Sequence, residues 1–233
     1  MKNKQISLAV KYRPRTFDDV VEQEAIKDIL TEQIETNSFK HAYLFCGPAG
    51  CGKTTVARIF ANDLNKGKGN PIEVDAASNN GVDDVRDIIE GARKKSLDSD
   101  YKVYILDEVH QFSTGAWNAM LKLLEEPPAG TIFIMCTTDP QKIPATILSR
   151  VQRYDFSKIS LSKIADRLKM IIENENQELE EFWGGHAKES GKELYSFEDD
   201  AIEYIAKLAD GGMRGAITML DKCLSLSPTL TVE

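Results

Sequence analysis

The sequence predicts an α/β fold, in which helices cover both faces of a parallel sheet, followed by a small all-helical domain. Short apolar runs alternate with longer amphipathic stretches over the first two-thirds of the chain, which is typical of parallel sheets. After Phe156 the strand pattern stops and only helical patterns follow. We therefore expect an α/β domain at residues 1–156, a helical domain at 157–226 and a tail at 227–233.

Five short apolar runs predict the strands of the sheet. In chain order they are His41–Cys46, Pro71–Asp75, Lys102–Asp107, Thr131–Cys136 and Gln152–Phe156. The stretches around them have helical periodicity and predict helices at Glu22–Glu35, Lys53–Leu64, Val82–Lys94, Thr114–Glu125 and Pro144–Ser149. The fourth of these helices ends before two prolines, Pro127 and Pro128, because proline lacks a backbone donor and clashes with the preceding turn.

Three further helical patterns predict the second domain. They cover Leu161–Glu173, Phe197–Leu208 and Met213–Leu224, and the last two are separated by two glycines. The polar segment Asn174–Ser196 predicts a loop or a short extra helix. The negative charge of the chain is concentrated in its C-terminal part. Residues 171–233 hold 5 basic and 14 acidic residues, a net charge of −9, compared with −8 for the whole chain.

The composition excludes several classes of protein. With 42% apolar and 28% charged residues, the 233-residue chain has the balance of a globular protein and not of a disordered one. No apolar run approaches the roughly 20 residues of a membrane helix, and the N-terminus has no signal-like apolar segment. We therefore expect a cytoplasmic protein with no membrane partner. The net charge argues against extensive basic patches but leaves room for a local nucleic-acid surface.

The four cysteines contain no C-x-x-C pair, so a zinc ribbon is not expected. We interpret Cys46, Cys51, Cys136 and Cys223 as free thiols of a reducing compartment, acting as small buried hydrophobic residues.

A phosphate-binding loop is predicted where the first strand runs into the second helix. Residues 47–54 fit the pattern G-x-x-x-x-G-K-[ST], and Thr55 follows them. In such a loop the glycines let the backbone wrap a phosphate while the N–H groups point inward. Lys53 would neutralise the outer phosphates and the Thr54 hydroxyl would bind Mg²⁺. The alternative is a glycine-rich turn without a ligand. The loop residues are Gly47, Pro48, Ala49, Gly50, Cys51, Gly52, Lys53 and Thr54.

Two acids lie at the C-terminal end of the third strand. Carboxylates at the C-terminal end of a parallel strand face the ligand crevice of such folds. Asp107 would hold Mg²⁺ through water, and Glu108 would orient and polarise an attacking water. Taken alone, the pair is equally compatible with an exposed strand end.

Three other polar residues are candidates for the same chemistry. Thr138 follows the fourth strand, where its hydroxyl could sense a γ-phosphate or simply end the strand. Arg150 closes a helix and could satisfy the helix dipole or reach a neighbour's nucleotide as an arginine finger. Arg214 lies near a helix N-terminus, an unfavourable place for a cation, which favours a ligand role.

These motifs together resemble the AAA+ ATPases, specifically their clamp-loader branch and the gamma/tau subunits of bacterial DNA polymerase III. The resemblance extends from about residue 8 to residue 223. The stretches that carry it are Lys11–Pro14, Phe17–Val21, Gly47–Thr54, Glu73–Val82, Asp107–His110, Leu124–Pro128, Thr137–Pro140, Ser149–Arg150 and Gly211–Arg214.

The resemblance implies roles for individual residues and for the whole protein. Tyr12, Val20 and Val21 would line the adenine pocket, and Thr138 would be the sensor 1 residue. Arg150 would be the finger acting in trans, and Arg214 the sensor 2 residue on the helical lid. Such subunits form a ring with other loader subunits. They bind ATP to open a sliding clamp and grip primer–template DNA, and hydrolysis releases the clamp.

The sequence departs from the family pattern in several places. The segment Asn65–Pro71 is too short for the four-cysteine zinc module of many members, so we expect no zinc. Val151 replaces the cysteine that usually follows the finger, and residues 174–196 exceed the usual connection. Members also continue into a helical collar after the lid. We expect a divergent member from a bacterial or phage-infected cell.

Two other functions remain open, together with a possible DNA contact. A Holliday-junction branch-migration ATPase or a non-catalytic loader scaffold would share part of these motifs. DNA phosphates could bind at two predicted helix N-termini, which are favourable anion sites. The residues concerned are Asn79, Asn80, Arg86, Ser113 and Thr114. The alternative role of Ser113 or Thr114 is helix capping, and that of Asn79 or Asn80 is turn formation.

Overall fold

The computed structural model describes residues 6–182 and 193–232, and the chain divides into two compact units. The α/β unit is Arg15–Ser157, and the helical unit joins Met1–Pro14 to Lys158–Glu233. The N-terminal segment thus groups with the C-terminal part, whereas the sequence places residues 1–156 in one domain. The reason lies in its contacts, since the Leu8 N–H donates to Asp221 and the Lys11 ammonium donates to Glu175.

The α/β unit contains a five-stranded parallel sheet, as predicted. Its strands are β1 Ala42–Cys46, β2 Ile72–Asp75, β3 Lys102–Asp107, β4 Thr131–Thr137 and β5 Gln152–Asp155. They lie in the order β2-β3-β4-β1-β5, and every pair of neighbours is parallel. Each predicted strand is confirmed to within one residue at either end. β1 lies inside the sheet, so the loop that follows it opens at the C-terminal edge between neighbouring strands.

Helices cover both faces of this sheet. They are α2 Glu24–Glu35, α3 Lys53–Leu64, α4 Val82–Arg93, α5 Thr114–Glu125 and α6 Ala145–Leu148, with 3₁₀ turns at Val109–Gln111 and Pro140–Lys142. Alternate residues of each buried strand face opposite sides. Leu44 and Leu106 pack in the cluster that contains Trp117 of α5, and Phe45 packs in the cluster that contains Phe60 of α3. One apolar cluster on each face of the sheet therefore packs the strands against the helices.

Among the described residues, the helical unit contains four helices, α1 Leu8–Lys11, α7 Leu161–Phe182, α8 Asp199–Leu208 and α9 Met213–Leu226. It is not entirely helical, because β6 Ser196–Phe197 pairs in parallel with β7 Thr229–Leu230. Phe197 therefore belongs to a strand, and the predicted tail contributes the other strand. Two-residue strands are too short to leave an alternating pattern in the sequence.

Part of the segment predicted as a loop or short helix, Asn174–Ser196, continues α7. The helix reaches Phe182, while Trp183, Gly184 and Gly185 lie outside the described residues. Glu175 and Glu178 in this extension both accept from the Lys11 ammonium. The added helical turns are therefore held to the N-terminal segment by charge.

All four cysteines are free thiols, as predicted. Cys46, Cys51 and Cys136 are buried, and Cys223 is partly buried. Burial raises the pKa of the Cys46 thiol to about 11 and raises the pKa of Cys136 well above its ordinary value. These two thiols therefore stay protonated at neutral pH and pack as small apolar groups. Within the described ranges, no helix has both the length and the apolar composition to span a bilayer.

Candidate functional site

The glycine-rich loop connects β1 to α3 and is fixed to the strands on both sides of β1. The Gly47 N–H donates to the Thr137 carbonyl of β4 over 3.2 Å. Gly47 has φ +155°, and a Cβ atom there would lie 2.6 Å from the Phe156 carbonyl oxygen. Only glycine fits this close approach. Gly52 has φ +108° and leads directly into α3, so the loop ends at the N-terminus of a helix.

Lys53, the first residue of α3, is only 6% exposed. Its ammonium donates to the carbonyl oxygens of Gly47 and Pro48, at 2.8 Å each. The charge is therefore held within the loop, where the positive end of the α3 dipole adds to it. A phosphate placed here would replace two neutral acceptors with charged ones, which form stronger hydrogen bonds with an ammonium group.

Thr54 and Asp107 meet beside the loop. The Thr54 hydroxyl donates to Asp107 Oδ2 over 2.8 Å, and Asp107 is the last residue of β3. Its other oxygen accepts from the Glu108 N–H. A hydroxyl and a carboxylate are the oxygen ligands that Mg²⁺ prefers, so this donor set fits a magnesium ion. Within residues 6–182 and 193–232, no group of three or more histidine, cysteine, aspartate or glutamate side chains gathers into a metal site.

Glu108 follows in the left-handed region, with φ +49°, which turns its side chain toward the end of β4. There the Thr138 hydroxyl donates to Glu108 Oε2 over 2.9 Å. The structure therefore brings together Thr54, Asp107, Glu108 and Thr138, which we call the strand-end cluster.

His110 also contacts this cluster, although the sequence suggested no role for it. Its Nδ1 lies 3.1 Å from Thr137 Oγ1 and 3.3 Å from Glu108 Oε2, and its side chain is nearly buried. The position of His110, two residues after Glu108, is the signal that could have revealed this contact. The 3₁₀ turn at Val109–Gln111 brings His110 back toward the Glu108 carboxylate.

Arg150 forms its hydrogen bonds with another set of residues. Its guanidinium donates to Glu125 Oε1 over 2.6 Å, to the Thr146 carbonyl over 2.7 Å and to the Ser149 hydroxyl over 3.2 Å. Its acidic partner, Glu125, lies 25 residues earlier in the sequence. The contact with Thr146 is the helix-end interaction that the sequence offered as an alternative.

The predicted adenine and lid residues are divided between the two units. Val20 is buried and Val21 half-buried in the α/β unit, where the Val20 carbonyl accepts from Lys27. Tyr12 belongs to the helical unit, and its hydroxyl donates to Glu175 over 2.8 Å. Burial and this carboxylate raise the pKa of Tyr12 above its ordinary value. Arg214 is an exposed residue in the first turn of α9.

Most of the predicted DNA contacts also have structural partners. The Ser113 hydroxyl accepts from the Ala116 N–H and caps α5, and Thr114 begins that helix. The Asn79 amide donates to the Asp75 carbonyl, and the Asn80 carbonyl accepts from the Ser113 N–H.

Arg86 lies on α4 and is paired with Asp83 over 2.6 Å. Glu90 lies four residues further along the same helix, so Asp83 and Glu90 are both on the helical face of Arg86, where their charges oppose phosphate binding.

Comparison with known proteins decides the family. The model described as DNA polymerase III, delta subunit matches residues 22–80 and 70–160, which together make up more than half of the chain. The chain belongs to the clamp-loader family of AAA+ ATPases.

Individual relatives agree with this assignment. The clamp-loader chain is 44% identical to DNA polymerase III subunit tau of Bacillus subtilis, over 93% of this chain and 39% of that protein. It is 36% identical to subunit tau/gamma of Haemophilus influenzae and 34% identical to subunit tau of Escherichia coli, in each case over 94% of this chain. The chain spans only about a third to two-fifths of the length of these relatives.

Solved structures confirm the fold of the clamp-loader chain. The Holliday junction branch migration motor RuvB of Thermotoga maritima aligns with a TM-score of 0.68 over 95% of this chain and 69% of that one. A variant of the same protein with a single substitution gives a TM-score of 0.69. Sequence identity is 20% in both cases, so the likeness concerns the AAA+ fold alone.

Proposed function

We propose that this chain is an ATP-hydrolysing subunit of a clamp loader, which opens a sliding clamp and places it on primer–template DNA. The observation that carries the ATPase part is the convergence of Lys53 and the strand-end cluster at one edge of the sheet. The phosphate loop supplies N–H donors, Lys53 a charge, Thr54 and Asp107 metal ligands, and Glu108 a base for water.

ATP binding would begin at the loop. The Lys53 ammonium would exchange the carbonyls of Gly47 and Pro48 for phosphate oxygens of ATP. Thr54 and Asp107 would hold Mg²⁺, which supplies charge neutralisation at the β- and γ-phosphates. Because the Thr54 and Asp107 side chains are already in contact, the ligands are close to one another before ATP arrives.

Hydrolysis requires water to attack the γ-phosphorus as the bond to ADP breaks, which gives ADP and inorganic phosphate. Glu108 would accept a hydrogen bond from that water and orient it. At present its Oε2 accepts from Thr138, so this hydroxyl would turn from the acid to the γ-phosphate when ATP binds. Thr138 would thereby report the presence of the γ-phosphate to Glu108.

The proposed partners are other loader subunits in a ring, the sliding clamp and primer–template DNA. Their support is the identity of 34–44% to proteins named as DNA polymerase III tau or tau/gamma subunits. In a ring, Arg150 would stabilise charge on the γ-phosphoryl group of a neighbour's ATP, an effect of about 10³-fold or more in rate. The lid residue Arg214 and the adenine-binding residues Tyr12, Val20 and Val21 belong to the same proposal.

A second candidate is a branch-migration motor, because such a motor shares the AAA+ fold. RuvB is among the solved structures that resemble this chain. Its identity of 20% is well below that to the loader subunits, so we prefer the loader. A non-catalytic scaffold is disfavoured because Lys53, Thr54, Asp107 and Glu108 are all present.

The ATPase stimulated by different DNA structures separates these candidates. A loader subunit, assembled with its partners, should hydrolyse ATP faster only when both a sliding clamp and primed DNA are present. Stimulation by a four-way junction without any clamp would instead favour the motor. An absence of ATP hydrolysis in both settings, with ATP still bound, would favour the scaffold.

A further inference from the structure

The C-terminal end of α5 carries an acid whose position is unfavourable by itself. Glu125 is the last residue of this helix, and Glu126 follows it before two prolines. The negative end of the helix dipole disfavours a carboxylate here. A cation beside such an acid offsets this effect, and the structure supplies one in Arg150, whose Nη2 donates to Glu125 Oε1 over 2.6 Å.

The elements that carry this pair are fixed in the core of the α/β unit. Leu123 and Leu124 of α5 are buried, and Ile147 of α6 is fully buried in the same apolar cluster. The Thr146 carbonyl and the Ser149 hydroxyl accept from the other terminal nitrogen of Arg150, Nη1. The guanidinium is thus bound at both terminal nitrogens by residues at the ends of two helices that are packed in the core.

This arrangement leaves part of the guanidinium available. An arginine side chain has five N–H donors. Three are used by Glu125, Thr146 and Ser149. Within the described part of the chain, no hydrogen bond uses Nε–H or the second proton of Nη2. The side chain of Arg150 is 34% exposed, so solvent or a neighbouring molecule can reach it.

We propose that Glu125 is a positioning residue for Arg150. It holds the guanidinium in one orientation, so that the remaining donors are presented together to a phosphoryl group bound by an adjacent subunit. This inference rests on the proposed function, in which Arg150 acts in trans. Arginine side chains have many rotamers, and holding one of them before the subunits meet reduces the entropy lost when the site forms.

A complementation experiment tests the proposal in the assembled protein, with clamp and primed DNA present. Glu125→Ala should lower ATP turnover about 10- to 100-fold, as expected for a misplaced catalytic group, without changing the affinity of the chain for ATP. Glu126→Gln removes the neighbouring acid from the same helix end and should leave turnover unchanged. In a background of Arg150→Ala, the further change Glu125→Ala should have no additional effect.

Mixing subunits distinguishes positioning from general damage. A Glu125→Ala subunit keeps an intact phosphate loop, and a Lys53→Ala subunit keeps an intact finger. A mixture of the two should therefore regain turnover at interfaces where each supplies what the other lacks. A Glu125→Ala assembly as active as wild type, or a loss that mixing does not rescue, would overturn the proposal.

A second measurement uses the isolated chain and does not depend on ATPase activity. Nitrogen NMR of the arginine side chains should show slowed rotation of the Arg150 guanidinium in wild type and in Glu126→Gln. Rotation should be faster in Glu125→Ala, where only the contacts of Nη1 with Thr146 and Ser149 are kept. Equal rotation in all three proteins would reject a positioning role for Glu125. If wild type itself shows no stimulated ATPase while the NMR result is as expected, the proposed function fails and the Glu125–Arg150 contact stands.

Discussion

At the scale of single residues, Lys53 and Glu108 separate nucleotide binding from turnover. Lys53→Ala removes the buried ammonium that the loop carbonyls now hold, so ATP binding should be lost. Glu108→Gln keeps the shape of the side chain but weakens its ability to orient and polarise water, so ATP should still bind while hydrolysis stops. Titration with a fluorescent nucleotide measures binding, and the rate of phosphate release measures hydrolysis. A Glu108→Gln protein that hydrolyses ATP at the wild-type rate would exclude Glu108 from this role.

Substitution of Gly47 tests whether the backbone of the phosphate loop leaves room for a side chain. Gly47→Ala would place a Cβ atom 2.6 Å from the Phe156 carbonyl oxygen and 2.8 Å from the Phe156 Cβ. We expect a loss of about 1–3 kcal/mol in the free energy of unfolding, as for other overpacked sites.

Chemical denaturation of the whole chain measures this loss. The matched control is Gly115→Ala in α5, where the nearest atom is an ordinary 3.5 Å away. Alanine should stabilise that helix by up to about 1 kcal/mol. Equal stability of the two variants would contradict the constraint on Gly47.

At the scale of elements, α5 depends on its N-terminal cap. Ser113→Ala removes the oxygen that accepts from the Ala116 N–H and should lower the free energy of unfolding by about 1 kcal/mol. Thr114→Ala, one residue into the helix, is the control and should change stability less. Thermal unfolding monitored by circular dichroism compares them. If both variants keep wild-type stability but lose affinity for primed DNA, the phosphate-binding interpretation of this helix end is preferred over capping.

Helix α4 provides the corresponding test for DNA. If Arg86 contacts a phosphate, Arg86→Ala should weaken binding of primed DNA by the assembled loader and reduce the dependence of log K on log salt by about one. Arg93→Ala, in the last turn of the same helix, is the control. Because Asp83 already pairs with Arg86, a DNA affinity that Arg86→Ala leaves unchanged at every salt concentration would assign Arg86 to its ion pair alone.

At the scale of the whole molecule, substitution of Arg150 distinguishes an ATPase that works in a ring of subunits from one that works alone. If Arg150 serves only its own helix end, Arg150→Ala should cost roughly 1 kcal/mol of stability and leave turnover intact. If it acts in trans, turnover of the assembly should fall by about 10³-fold or more.

Mixed assemblies of Arg150→Ala and Lys53→Ala subunits should then recover part of the activity, since each supplies what the other lacks. The measurement is ATP hydrolysis in the presence of clamp and primed DNA, with each pure mutant assembly as control. Wild-type turnover by the Arg150→Ala assembly would leave the trans mechanism without support.

The sequence alone determined the sheet, its helices and most of the candidate site. Periodicity and buried apolar runs act locally, so β1 to β5 could be predicted to within a residue. The phosphate loop and the acids at the end of β3 were equally visible, because their spacing along the chain is the property that the chemistry needs. Thr138 could be added because parallel strands end at the same edge of a sheet.

Which distant residues come into contact could not be predicted from the sequence. The pairs Arg150–Glu125 and Tyr12–Glu175 join residues 25 and 163 positions apart, and no local pattern encodes such contacts. The grouping of the N-terminal segment with the helical unit and the pairing of β6 with β7 have the same origin. Each of these contacts joins residues that are far apart in the sequence and that meet only when the helices and strands pack. Such contacts stabilise the folded chain but leave no local pattern in the sequence.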